Sequence, residues 1–65
     1  MKPEKFHQIR KKLKLTQLQI AEELGLTERS IRYYEAGERE IPLSIEKLLR
    51  YVAKDRGFDI FSNEI

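Results

Sequence analysis

The chain has 65 residues, of which 37% are charged and 40% hydrophobic, and its formal net charge is +2. A chain of this length can bury one small core, so we expect a single domain over residues 1–65. It has no cysteine and one histidine, which excludes disulfides, thiol catalysis and nearly all zinc sites. No run approaches the roughly 20 apolar residues of a membrane span and no signal peptide is recognisable, so we expect an intracellular, soluble protein.

Positive charge is concentrated in the first 14 residues. Six basic side chains and one glutamate give this segment a local net charge of +5, whereas residues 15–65 carry a net charge of −3. A basic segment beside an acidic body is typical of a surface that meets phosphate on one side only. Charge counting leaves open the alternative of an ordinary solvated helix face.

Apolar residues recur at helical spacing along the whole chain, and no segment alternates as a strand does. The first predicted helix begins at Pro3 or Glu4, because proline suits a first turn, and it ends near Lys12 to Lys14. The pattern predicts an all-α fold, a compact bundle of four to five short helices.

The next two helices are marked by caps at both ends. Thr16 and Gln19 form a capping box that begins the second helix, and Gly25 is suited to the left-handed conformation at its end. Thr27 is a good N-cap for the third helix, which Gly37 ends.

The fourth helix is introduced by Pro42 and Ser44 and runs to Gly57. The tail from Phe58 to Ile65 is compatible with a fifth helix, an extension of a dimer interface or a short strand. The side chains predicted to form the core are Phe6, Ile9, Leu13, Ile20, Ala21, Leu24, Leu26, Ile31, Tyr34, Ile45, Leu48, Leu49 and Val52.

Residues 16–37 carry the pattern of a helix-turn-helix motif. Two short helices are joined by a glycine turn, and Ala21 is small where the later helix must cross close to it. In this motif the second helix enters the major groove of DNA. The pattern therefore predicts DNA recognition through the helix at residues 27–36.

Four side chains of that helix are predicted to point outward toward the bases. Arg29 suits the O6 and N7 atoms of guanine, although a phosphate contact or a free surface arginine is the alternative. Glu28 can accept a hydrogen bond from cytosine N4 or merely complement the helix dipole. Tyr33 can pack on a thymine methyl, bond a phosphate or face a partner protein. Arg32 lies beside them, within reach of a base edge or a phosphate.

Five short strings between the first and third predicted helices form a joint pattern: Leu15-Thr16-Gln17, Ile20-Ala21, Leu24-Gly25-Leu26-Thr27, Ser30-Ile31 and Glu35-Ala36-Gly37. Together they resemble the lambda-repressor-like family, which includes the phage repressors, the Cro proteins and the xenobiotic-response-element regulators. The resemblance covers about residues 5–56. It implies a small helical bundle that binds operator DNA, usually as a dimer on a palindrome.

The resemblance also implies residue roles. Gln17 matches a residue that contacts backbone phosphate and often braces the recognition helix. Arg10 and Glu35 match a pair that in some members forms a salt bridge from the first helix to the end of the third. The base-facing positions of the family fall on Glu28, Arg29 and Tyr33, with Arg32 beside them. The predicted phosphate contacts are the N-terminal amides of the fourth helix together with Gln17, Thr27, Ser30 and Arg39.

Two features depart from the family pattern. Lys14 stands where many members have a glycine, so a turn of different shape is expected there. Glu38 and Glu40 make the loop after the third helix acidic, which leaves Arg39 as its only basic residue. Residues 31–35 also resemble a string of the mercury-resistance regulators, but that family continues into a winged motif rather than into a helix like the one from Ser44.

The predicted function is that of a sequence-specific transcriptional regulator, a repressor that binds a palindromic operator in double-stranded DNA as a homodimer. We expect no cofactor, no metal, no membrane partner and no small-molecule ligand, and a location in the bacterial cytoplasm or nucleoid. The sequence contains no combination of a nucleophile and a base that would indicate an enzyme. The alternative is a protein-binding adapter on the same fold, of antitoxin or anti-repressor type, that uses Leu18, Tyr33 and Ile41, with Leu43 also exposed.

Overall fold

The computed structural model describes residues 1–58, which form four helices. No strand occurs in this part of the chain, so the predicted all-α bundle is confirmed. The predictions for the tail beyond Phe58 lie outside the described residues. In chain order the helices are α1 (Pro3–Lys12), α2 (Gln17–Leu24), α3 (Glu28–Ala36) and α4 (Leu43–Asp55).

One apolar core joins the four helices. α3 packs against both α1 and α2, and α4 packs against α2. The rings of Phe6 on α1 and Tyr34 on α3 meet at a tilted angle with their centroids 6.2 Å apart, a favourable geometry for an aromatic pair. The buried apolar side chains are Phe6, Ile9, Leu13, Ile20, Ala21, Leu24, Ile31, Tyr34, Ile41, Ile45, Leu49 and Ala53.

Most of the predicted core is confirmed, but two assignments near α4 are wrong. Leu48 is 44% exposed, because the buried row on α4 runs through Ile45, Leu49 and Ala53 at intervals of four residues and places Leu48 to one side. Ile41 is only 6% exposed, since the loop before α4 turns it into the core. Predicted core residues Leu26 and Val52 are half-buried against that core.

All four helices end in the same way, in a residue with left-handed backbone angles. After α2, the N–H of Leu26 donates to the carbonyl of Ala21 over 2.8 Å, and Gly25 between them has φ +71°. This is the Schellman arrangement, which satisfies carbonyl groups that a helix end leaves unpaired. The other left-handed residues are Lys14, Gly37 and Gly57, and the matching bonds run from Leu15 to Arg10, from Glu38 to Tyr33 and from Phe58 to Ala53.

Lys14 is the one residue other than glycine with positive φ in the described chain, at +60°. The expectation that a lysine here gives the turn a different shape is therefore wrong, because the chain adopts the glycine conformation with a side chain in place. A left-handed conformation costs an L residue roughly 1–2 kcal/mol. The apolar residue after it, Leu15, packs against the core and helps to hold the strained turn.

Replacing Lys14 by glycine tests this strain. Glycine removes the steric cost, but its flexibility also lowers the free energy of the unfolded chain by about 0.4–1 kcal/mol. The steric gain is the larger of the two, so we expect Lys14→Gly to raise the free energy of unfolding by about 0.5–1 kcal/mol. The matched control is Lys11→Gly, inside α1, which should lower it by up to about 1 kcal/mol. Urea denaturation followed by circular dichroism measures both, and destabilisation by both variants would contradict the assignment of strain.

Candidate nucleic-acid interface

The orientation of α3 depends on its cap and its two core residues. The Oγ1 atom of Thr27 accepts a hydrogen bond from the backbone N–H of Ser30 at 3.3 Å, which begins the helix. Ile31 and Tyr34 are buried. Since successive residues of a helix lie about 100° apart, Arg29 points directly away from these two core residues.

The outward face of α3 therefore consists of Arg29 with Arg32 and Tyr33 on its two sides. Arg29 is exposed, and within residues 1–58 it makes no hydrogen bond or ion pair. Arg32 is exposed too, and its Nη2 atom lies 3.4 Å from Oε1 of Glu28, one helical turn earlier. A solvent-exposed pair of this kind is weak, so Arg32 can leave Glu28 for another partner at little cost.

Tyr33 is half-buried, and a cation covers its ring. The guanidinium carbon of Arg39, in the loop after α3, lies 4.7 Å from the ring centroid, which is within the range of a cation–π interaction. Arg39, which was predicted to contact phosphate, thus lies on Tyr33, which was predicted to contact a base.

Glu35 joins three helices through its carboxylate. Oε2 accepts a 2.6 Å hydrogen bond from Nε of Arg10 on α1, and Oε1 accepts one of 3.0 Å from Nη2 of the same guanidinium. Oε1 also accepts from Nε2 of Gln17 on α2 at 3.3 Å. The side chains of Arg10 and Glu35 are 9% and 8% exposed, so the pair predicted from the family resemblance lies together and is nearly buried.

Three further contacts complete this cluster, and one of them joins Nη2 of Arg10 and Nδ1 of His7, which lie 3.2 Å apart. The Nη1 atom of Arg10 donates to the carbonyl oxygen of Leu15 at 2.9 Å, which ties the arginine to the turn after α1. Nδ1 of His7 lies 3.0 Å from Oε1 of Glu35. The sequence pattern gives His7 no role, and no local signal could have given one, because the two residues are 28 positions apart.

The Glu35 carboxyl is held in its charged form. Burial raises the pKa of Glu35, but the hydrogen bonds from Arg10, His7 and Gln17 and the charge of Arg10 outweigh that cost, so the net effect lowers the pKa below its usual value. The ionised carboxylate accepts hydrogen bonds only, which matches the donors that surround it.

The structure brings the predicted base contacts together on one face of α3 and leaves the phosphate set spread around it. Thr27 and Ser30 lie at the start of α3 with their hydroxyl oxygens 3.1 Å apart. Gln17 lies at the start of α2. Ala36 is absent from the predicted contacts, but it is exposed on the same outward face as Arg29, seven residues earlier. Its small side chain leaves room for another molecule to approach the helix backbone closely.

None of the helices within residues 1–58 is long and apolar enough to cross a membrane. A family model described as helix-turn-helix matches residues 6–53, which is most of the chain and includes α2, α3 and the turn between them. No curated protein and no solved structure matches the chain.

The lowered pKa of Glu35 predicts a loss of stability in acid. A carboxyl whose pKa is lower in the folded than in the unfolded chain stabilises the fold above its unfolded value, here 4.5, and that contribution is lost as the pH falls through the folded value. Glu35→Gln should cost about 3 kcal/mol at pH 7, because it leaves Arg10 nearly buried without its charge partner. The deficit should shrink steadily below pH 4.5.

Thermal unfolding from pH 7 to pH 3 measures both effects. Glu22→Gln, on the exposed surface of α2, is the matched control and should follow the curve of the unmodified chain. A deficit for Glu35→Gln that is constant across this range would show that the charge of Glu35 does not stabilise the fold.

Proposed function

This chain belongs to the Cro/C1-type helix-turn-helix family, a family of DNA-binding regulators, and we propose that it represses transcription by binding a palindromic operator as a homodimer. The single observation that carries the proposal is Arg29. It is exposed at the centre of the outward face of α3, in the first turn of the helix, and it has no partner among the described residues. A guanidinium in this position suits a guanine in the major groove.

The neighbours of Arg29 extend the proposed base contacts. Arg32 and Tyr33 lie on its two sides, so each reaches a different part of the same stretch of groove. Glu28 is paired with Arg32 in a solvent-exposed contact, and in the complex it accepts a hydrogen bond from cytosine N4 when Arg32 moves to the DNA. Ala36 leaves space for the helix to lie deep in the groove.

Phosphate contacts are assigned to the helix starts beside this face. Thr27 and Ser30 present hydroxyl groups at the N-terminus of α3, where the helix dipole also favours an anion. Gln17 has two N–H groups on its side-chain amide. One donates to Glu35, and the second remains for a phosphate, so the Glu35 cluster orients Gln17 for the contact.

A homodimer is proposed because one module of this size gives a small interface. A single small recognition module buries only about 600–1,000 Å² of protein surface on DNA, and two copies on half-sites one helical turn apart double the contact. Occupation of the operator then blocks transcription without any further activity of the protein. With this function we propose a location in the bacterial cytoplasm or nucleoid.

The adapter alternative is weaker in the light of the fold. Leu18 and Leu43 are 50% and 64% exposed, which favours a partner surface, but Ile41 is buried and cannot contribute to one. Tyr33 is covered on one side by Arg39. Leu18 and Leu43 lie on different helices, α2 and α4, and single exposed leucines are common on protein surfaces.

Selection of binding sites from randomised duplex DNA tests the proposed function. The unmodified chain should recover a palindromic motif, and Arg29→Ala should lose one guanine preference in each half-site, worth about 1–3 kcal/mol, while the other preferences remain. Lys54→Ala, an exposed cation on α4, is the control and should recover the full motif.

Affinity for the selected site should fall steeply with salt, because phosphate contacts release counterions. Recovery of no motif, together with binding that Arg29→Ala does not change, would overturn the proposal. A protein partner bound with little dependence on salt would then favour the adapter.

Sedimentation on a duplex tests the homodimer. With one full palindrome we expect two copies of the chain per duplex, bound cooperatively, and with a single half-site we expect weak binding of one copy. Insertion of five base pairs between the half-sites rotates them by about half a helical turn and should abolish cooperativity. One copy per palindrome at saturation would contradict the dimer.

A further inference from the structure

The end of α3 differs from the other three helix ends in the residue next to the left-handed one. After α1, α2 and α4 the next residue is Leu15, Leu26 or Phe58, and each packs against the core. After α3 the equivalent residue is Glu38, which is exposed. The apolar contact that usually accompanies a Schellman helix end is therefore missing here.

A different contact takes its place. Gly37 has φ +76°, and the N–H of Glu38 donates to the carbonyl oxygen of Tyr33 at 2.9 Å. This bond turns the chain back along α3, so that the next residue, Arg39, comes to lie beside Tyr33. Its guanidinium carbon is 4.7 Å from the ring centroid, and the stacked pair replaces the apolar contact.

The surroundings of Arg39 make it a poor anchor for phosphate. Glu38 and Glu40 flank it and all three residues are exposed, so the segment carries a net charge of −1 and repels an anionic backbone. Within the described chain Arg39 forms no ion pair with either glutamate. The guanidinium lies on the ring of Tyr33 although two carboxylates adjoin it in sequence.

We propose that Arg39 is a positioning residue for base recognition: its guanidinium holds the Tyr33 ring on the outward face of α3 and thereby sets the base preference at the Tyr33 contact. This inference rests on the proposed function. Arg39 covers one face of the ring, and the hydroxyl group makes no hydrogen bond within the described residues. In this proposal the opposite ring face meets the groove, where an apolar surface suits the methyl group of thymine. Because the ring is held before binding, less side-chain freedom is lost on the DNA.

Binding to single-base-pair variants of the selected site separates positioning from phosphate contact. Tyr33→Ala identifies the base pair that depends on the ring. Arg39→Ala should weaken the preference at that base pair by about two- to fivefold, as expected for an exposed cation–π pair, and should leave the guanine preference that depends on Arg29 unchanged. In the Tyr33→Ala background, Arg39→Ala should have no further effect on any preference.

Arg39→Lys provides a second discrimination, since it keeps the charge but loses the planar guanidinium that stacks on an aromatic ring. It should keep the salt dependence of the unmodified chain and lose part of the preference. If Arg39 contacted phosphate instead, Arg39→Ala would weaken binding to all sequences equally and lower the salt slope by about one. That result would overturn the inference.

The stack itself is measurable without DNA. In the free protein the ring current of Tyr33 should shift the side-chain proton resonances of Arg39 upfield, and Tyr33→Leu should abolish that shift. Absence of the shift, or retention of every base preference by Arg39→Ala, would overturn this inference alone. Absence of any base preference in the unmodified chain would overturn the proposed function and this inference with it.

Discussion

The Glu35 carboxylate forms the contact on which the arrangement of α3 against α1 and α2 depends. Its two oxygens accept from Arg10 on α1 and Gln17 on α2 while its backbone belongs to α3, so one charged group fixes the positions of three helices. The charged carboxylate stabilises the fold, because the hydrogen bonds that it accepts outweigh the cost of its burial. The contact also fixes geometry, since apolar packing is tolerant of small sliding movements and a two-bond contact between guanidinium and carboxylate is not.

The helix ends provide the second constraint. Each helix ends in a left-handed residue, so the chain reverses at once and the four short helices pack within 58 residues. At three of these ends the next residue is apolar and packs against the core, and the turn becomes part of the packing. At the end of α3 the next residues are charged and lie outside. The helix α3 is thus the one whose C-terminal turn lies at the surface instead of packing against the core.

The Glu35 cluster and the turn after α3 affect different parts of the proposed interface. The cluster around Glu35 joins α3 to α1 and α2, and Arg39, in the loop after α3, lies on the ring of Tyr33. Arg29 depends on neither, because it projects into solvent from the first turn of α3. The net charge of the chain is only +2, so the proposed DNA contacts depend on the placement of a few cations rather than on total charge.

Much of this structure could be predicted from the sequence by itself, because it depends on interactions between residues close together in the chain. The caps at Thr16 and Thr27, the glycines at helix ends and the period of the apolar residues determined the helices, most of the core and the outward direction of Arg29, because each depends on neighbours within one or two turns. Only the tertiary structure decided that Leu48 is exposed and Ile41 buried, that Lys14 adopts a glycine conformation, that His7 reaches Glu35 and that Arg39 lies on Tyr33. These features depend on which helix packs against which and on where a loop returns. Such contacts join residues far apart in the chain, so the periodic pattern of apolar residues does not indicate them.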